Sequence, residues 1–374
     1  MKQHNFNLLL TVLFCLFIGG MFLGSILLPD RTFSQLENRN LAAAPKLSWE
    51  TITTGTFMED AEDYVNDQII GRDFWVALKA WSERVSGKQE NNGVYFAKED
   101  TLISRVDTPE QSTLDTNAGY VNALVDNVDV PVYFGIIPSA AEIWSDRLPE
   151  GAPTADEKAI IDRLYNEVQT HTIDLYSALA QHKDEGIYYR TDHHWTSLGA
   201  YYGYTALMDA MGLEAVPLDE SQKVTVSENF YGTLFSSSGV RWLPPDHIDR
   251  YISDEGVTVT AYPNGAPEPG SLYVDSYLQV KDKYSSFLGG NKPLCVIETE
   301  HTDAPKVLVI RDSYADSLAP FLTQNFSEIH LFDPRYNLTS VKDYVTQNEI
   351  DSVVVLYSIS NFTAKDNQMF VLGR

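Results

Sequence analysis

The chain predicts a three-layer α/β fold with a mostly parallel sheet, and three observations carry that expectation. Strand-like and helix-like segments alternate from Gly93 to the end of the sequence. Val130 to Ile137 is a continuous apolar run, as a strand covered on both faces requires. Lys306-Val-Leu-Val-Ile310 is a second such run, and it breaks into a tight turn that opens a helix.

The elements follow in order. Asn7 to Leu28 carries no charged residue. At about 1.5 Å per residue its roughly 22 residues reach about 33 Å, enough to cross the hydrocarbon core of a bilayer. Its length and the absence of small residues at a cleavage point favour an uncleaved signal anchor over a cleaved signal. Lys2 ahead of the span places the N-terminus in the cytoplasm and the large domain on the cell-envelope side. A polar stem from about 29 to 49 precedes two amphipathic helices. Phe57, Ala61, Tyr64, Val65 and Ile69 recur at helical spacing, as do Phe74, Ala77, Leu78, Trp81 and Val85, with Gly87 as a stop.

Past Gly93 the reading is a strand at Val94 to Ala97 and a helix opened by Thr108-Pro109. A strand follows from Val130 to Ile137, then a helix after Pro138-Ser139 and a capping-box start at Thr154 to Glu157. Ile173 to Tyr176 and Ile187 to Tyr189 read as strands, and Thr196 to Gly212 as a helix. Asn229 to Gly290 is rich in Tyr, Pro and Gly without helical period, an irregular β-rich insertion. Alternation then returns: strands at Val307 to Ile310, Ile329 to Phe332 and Val353 to Tyr357, with helices at Ala315 to Gln324 and Val341 to Asn348. The expected organisation is an anchor over 1–28, a stem with helices packed on the main domain over 29–92, and the α/β domain over 93–374.

The formal charge is −25, from 27 basic and 52 acidic residues. That balance disfavours nucleic acid, which needs a basic surface. Cys295 is the only cysteine beyond the span, so no internal disulfide is expected, and no His/Cys spacing resembles a zinc site.

Two segments carry chemistry. Asp192-His193-His194-Trp195 sets an acid, two imidazoles and an indole in a row. In an extended segment Asp192 and His194 leave the same face, and an Asp beside a His fixes the tautomer a general base needs. The same residues also fit a helix entry capped by Thr196 or Ser197. Arg311-Asp312-Ser313-Tyr314 follows a buried strand and opens a helix, where free amides favour negative charge. Ser313 there is a nucleophile with backbone donors beside it, or only a helix cap. Together the segments supply nucleophile, base and orienter in the order Asp, His, Ser. A metal site from Asp192, His193 and His194 is the weaker reading, since adjacent histidines rarely converge on one ion.

The Asp192 to Trp195 signature resembles the DHHW protein family of bacterial envelope proteins. It is also similar to the Asp-x-His-Trp motif of the SGNH-hydrolase-like domains in alginate O-acetyltransferases (AlgX/AlgJ), and the Ser313 elbow to their nucleophile motif. Glu37 to Arg39, Tyr64 to Arg72, Lys281 to Asn291 and Asp333 to Tyr336 extend the likeness. The resemblance implies an SGNH-hydrolase-like fold in which Ser313 attacks an acetyl ester, His194 takes its proton and Asp192 orients His194. His193 is then the variable position. Gly290 and Asn291 are candidate oxyanion donors, although Gly289-Gly290-Asn291 also reads as a plain turn. Arg335 and Tyr336 are candidates to meet a sugar or carboxylate, and Trp195 to stack on a sugar or pack in the core. The implied function is a membrane-anchored O-acetyltransferase or acetylesterase for cell-envelope polysaccharide, with no metal or organic cofactor. A membrane partner would pass it the acetyl group. The alternative is a non-catalytic glycan-binding or envelope-assembly protein that keeps the fold.

Overall fold

The structure, a computed structural model, describes residues 2–374. Met1 and the Lys2 side chain, on which the expected cytoplasmic tip and its charge rest, lie outside the described residues. The described chain forms two compact units: one runs to Lys88 and includes Ser236–Trp242, the other comprises Gln89–Phe235 and Leu243–Arg374.

In the first unit, helix α1 (Lys2–Leu27) is long and apolar enough to cross a membrane. Helices α2 (Trp49–Thr54), α3 (Thr56–Gln68) and α4 (Arg72–Val85) follow. Gly71, in the left-handed region at φ +68°, makes the sharp turn between α3 and α4. Arg72 forks onto Glu37 at 2.6 and 3.0 Å, and Arg39 reaches Asp67 at 2.8 Å. The Arg39 bond outweighs burial and holds the Asp67 carboxyl below its usual range.

The second unit is built on an eight-stranded sheet. Its strands are β1 (Val132–Ile137), β2 (His171–Thr172), β3 (Thr258–Ala261), β4 (Glu268–Pro269), β5 (Leu294–Glu298), β6 (Lys306–Arg311), β7 (Glu328–Phe332) and β8 (Ser352–Ser358). The spatial order is β4-β3-β5-β7-β6-β8-β1-β2. From β7 to β2 every pairing is parallel, and β5, β3 and β4 extend the sheet with antiparallel pairs. The insertion therefore contributes two strands to the main sheet.

Alternate residues of the central strands feed two separate cores. Val307, Val309, Val354 and Leu356 face a cluster that includes α7 (Leu175–Gln181), α8 (Ser197–Met211) and α9 (Ala315–Leu322). Leu308, Ile310, Val353 and Val355 face α5 (Gln111–Asn127), α6 (Glu157–Glu167) and α10 (Val341–Gln347). Apolar residues on both faces of each central strand are what a sheet covered on both sides requires. The three-layer architecture is therefore present.

Some local expectations need correction. Asp156, not Thr154, caps α6, accepting from the Ala159 N–H at 2.9 Å. Glu157 turns inward instead to accept from the Ser139 N–H and hydroxyl at 2.8 and 2.6 Å. Tyr176 lies in α7 and not in a strand. Ile187 to Tyr189 forms one isolated bridge, Tyr188 with Trp195, because the chain folds back sharply there.

Candidate active site

Ser313 sits where β6 ends and α9 begins, at the carboxyl end of a central parallel strand. Tyr314 occupies the cap position and no side chain caps the helix, so Ser313 is not a helix cap. The buried Asp312 carboxylate pins the turn: it accepts from the Tyr314 N–H at 3.0 Å, the Ser358 N–H and hydroxyl at 2.8 and 2.6 Å, and Asn361 Nδ2 at 2.8 Å. The elbow is thereby tied to the end of β8.

The Asp192–His194 segment lies in a tight turn and not in an extended strand. The His194 N–H donates to Asp192 Oδ1 at 3.0 Å, an Asx-type turn that brings the two side chains together by a route other than strand alternation. Asp246 holds the approach to the turn, accepting from the Thr191 N–H and hydroxyl at 2.8 and 2.6 Å. His194 Nδ1–H donates to Asp192 Oδ1 at 2.6 Å, and the Ser313 hydroxyl donates to His194 Nε2 at 2.8 Å. The second Asp192 oxygen accepts from the Thr233 N–H at 2.7 Å and its hydroxyl at 3.0 Å. Burial alone would raise the Asp192 pKa. The adjacent His193 and His194 and the bonds from His194 and Thr233 overcome that effect and hold the carboxyl far below its usual range. Asp192 is thus an anion with both oxygens occupied.

Tyr284, a residue that motif reasoning gave no role, lies flat on the His194 ring with centroids 3.8 Å apart. Its hydroxyl reaches the Ser313 carbonyl and Ser317 Oγ, both at 3.0 Å. Gly232 presses its Cα against Asp192, leaving no space for a side chain. Gly232, Thr233 and Tyr284 all come from the insertion, whose aperiodic sequence gives no signal that it grips the acid and base.

The remaining candidates separate. Trp195 is fully buried and its Nε1–H donates to the Tyr314 carbonyl at 2.9 Å, so it is a core residue and not a sugar platform. His193 points elsewhere, its Nδ1 2.6 Å from Thr233 Oγ1, while its carbonyl accepts from the Tyr314 hydroxyl. The Gly290 N–H is committed to the Phe287 carbonyl at 3.3 Å, in a turn with both Gly289 and Gly290 at positive φ. Asn291 Oδ1 accepts from Arg311 Nη1 at 3.2 Å. Arg335 forks onto Asp333 through Nε and Nη2 at 2.9 and 2.7 Å, and Tyr336 is exposed. Arg311 is fully buried against Asp316 at 2.9 Å, and burial outweighs that pairing to lift the Asp316 carboxyl to about 6. Ligand atoms of Asp192, His193 and His194 lie close enough to hold an ion, but both His194 nitrogens are already engaged with Asp192 and Ser313.

Fold and site together define a class: an SGNH-hydrolase-like α/β domain with an Asp–His–Ser hydrogen-bond chain at the carboxyl ends of its parallel strands. The family model described as DHHW protein matches residues 110–332, a span that includes all three of these residues, and the chain belongs to that family. Among solved structures it is similar to a DHHW family protein from Eubacterium siraeum (27% identical, TM-score 0.66, covering 75% of this chain and 95% of that one). It shares its fold with Bacillus cereus PatB1, solved with a sulfonyl adduct (20% identical, TM-score 0.62, covering 74% and 98%). A curated relative is the probable alginate O-acetylase AlgJ of Pseudomonas syringae pv. tomato, 23% identical over 212 residues. The chain spans about half the length of that relative, with 53% of each covered.

Proposed function

We propose that this protein moves acetyl groups on a cell-envelope polysaccharide, as an O-acetyltransferase or acetylesterase working through Ser313, His194 and Asp192. The observation that carries the reading is the continuous relay from Asp192 through His194 to Ser313, at 2.6 and 2.8 Å. Ser313 Oγ attacks the acetyl carbonyl carbon while His194 Nε2 takes the hydroxyl proton. Asp192 keeps Nδ1 protonated and stabilises the imidazolium that forms. His194 then passes its proton to the departing oxygen, leaving acetyl-Ser313. A glycan hydroxyl, or water in the esterase, gives its proton to His194 as it attacks the acetyl carbon, and His194 passes that proton to Ser313 Oγ as the acetyl–oxygen bond breaks. The Ser313 N–H, with no protein acceptor among the described residues, and the Asn291 amide are the donors suited to the oxyanion.

The acceptor class draws support from the relative named as a probable alginate O-acetylase. The apolar helix α1 supports attachment to the membrane; that the catalytic domain works on the envelope side, with a membrane partner supplying the acetyl group, is part of the same proposal. The test is release of acetate from p-nitrophenyl acetate by purified protein. Ser313→Ala should abolish turnover, and wild-type protein quenched during turnover should carry an acetyl group on the Ser313 peptide. Unchanged turnover in Ser313→Ala would refute the reading, and glycan binding by a wild type without turnover would favour a binding protein.

A further inference from the structure

Helix α4 carries an apolar stripe that none of the described residues of its own unit covers. Phe74, Leu78, Trp81 and Val85 are 60%, 40%, 54% and 67% exposed. At about 100° per residue these four positions fall within about 60° of arc. Arg72, Lys79 and Glu83 lie on the opposite side of the helix, and Arg72 there is neutralised by Glu37. Contiguous exposed apolar surface of this kind marks a contact with lipid or protein.

The turn leading into this helix, and its first turn, are fastened to the apolar helix α1. The Ile70 N–H donates to Ser25 Oγ at 3.0 Å, and Ile70 packs against Gly24. The Phe17 ring meets Trp75 edge-on with centroids 6.1 Å apart. Phe17 stands ten residues before Leu27, about 15 Å along the helix axis. The first turn of α4 is therefore level with the apolar length of α1, and the two share one surrounding medium at that height. Arg31 completes the clamp, receiving Gln68 Nε2–H at its carbonyl (2.9 Å) and pairing with Asp73 at 3.1 Å.

We propose that Phe74, Leu78, Trp81 and Val85 form a lipid-docking face that enters the outer leaflet of the bilayer crossed by α1. The proposal rests on α1 being retained as a membrane span. An amphipathic helix with Trp, Phe and Leu on one face and charges on the other suits the boundary between headgroups and acyl chains. With α1 crossing the bilayer and the start of α4 held against α1 between Phe17 and Ser25, the stem meets the membrane at two places.

The test uses the full chain in phosphatidylcholine–phosphatidylglycerol vesicles, with bimane on a Val85→Cys substitution in a Cys15→Ser background. Nitroxide-labelled lipid should reduce the emission about twofold or more, as for a probe at the acyl boundary, while aqueous iodide has little effect. Adding Leu78→Glu and Trp81→Glu should reverse that preference. Quenching by iodide alone would overturn the docking face. Protection from both quenchers together with crosslinked dimers would also overturn it, in favour of contact between copies. Intact mass and resistance to alkaline carbonate extraction separate the two failures: a chain lacking α1 refutes the anchor, whereas an anchored chain with its probe in water refutes only the docking face.

Discussion

Tyr284 stacks on His194 with ring planes 8° apart, and its hydroxyl simultaneously reaches the carbonyl of Ser313. One side chain thus fixes the plane of the His194 imidazole and the backbone at Ser313, the proposed base and nucleophile. Tyr284→Phe keeps the stack and loses the hydroxyl's bonds to the Ser313 carbonyl and Ser317 Oγ, about 1 kcal/mol each, so p-nitrophenyl acetate turnover should fall only a few-fold. Tyr284→Ala removes the supporting ring and should cost about 100-fold in kcat. Equal rates for the two variants would mean that the stack does not position His194.

Asp192→Asn tests the orienting role. An amide in place of the carboxylate cannot accept from Nδ1–H in the same way and fails to stabilise the imidazolium. The expected loss is about 10³- to 10⁴-fold in kcat per folded molecule, with about 1–3 kcal/mol of destabilisation because the amide Nδ2 then faces the Thr233 N–H donor. A loss below tenfold would show that His194 does not depend on Asp192.

Gly232→Ala should damage the same residue from behind. A methyl group at that position overlaps the Asp192 carboxylate, so either the acid or the insertion must shift. We expect about 1–3 kcal/mol of destabilisation and a drop in turnover larger than the loss of folded protein explains. Comparing kcat per folded molecule with the chemical denaturation midpoint checks this.

Glu157 gives the stability a pH dependence. Burial raises its folded pKa to about 7, against the opposing bonds from Ser139. Because the folded value is raised, the stabilising contribution is complete below about pH 4.5 and is lost as pH rises through about 7. The full difference is on the order of 3 kcal/mol. Glu157→Gln has no such ionisation, so its Tm relative to wild type should rise by about 5 °C from pH 5 to pH 8. A constant Tm difference across that range would exclude Glu157 as the titrating group.

Metal removal separates hydrolysis through the relay from chemistry on an ion held by Asp192, His193 and His194. With both His194 nitrogens engaged in the relay, dialysis against EDTA should leave ester hydrolysis unchanged. Activity lost on chelation and restored by zinc would favour the metal.

Asp192, His194 and Ser313 were legible because their chemistry is local: an acid two residues before a histidine, and a serine at the break between an apolar run and a helix. The parallel core was legible for a similar reason, since Val307–Ile310 and Val353–Tyr357 are apolar on both faces. Thr233 and Tyr284 were not, because they lie in the insertion, where no period links sequence position to orientation. Trp195 was ambiguous in sequence, as an indole beside two histidines fits a sugar platform as well as a core. Gly203 settles its place by leaving room on α8 for its ring, and Gly199 by letting the Ile187 carbonyl and Trp195 Cβ approach the same helix. Glu157 was misassigned because a glutamate three residues after a threonine has the same pattern whether it caps a helix or turns inward to Ser139.

His194 and Ser313 are 119 residues apart in the chain. An incompletely synthesised chain that stops short of β6 therefore has His194 and lacks Ser313, the proposed nucleophile. The relay also requires the insertion between them to have closed over Asp192. Under the proposed chemistry, a polypeptide that is still unfolded cannot cleave esters, and hydrolytic competence appears only when folding is finished. Onset of turnover would then serve as a clock for maturation of this protein.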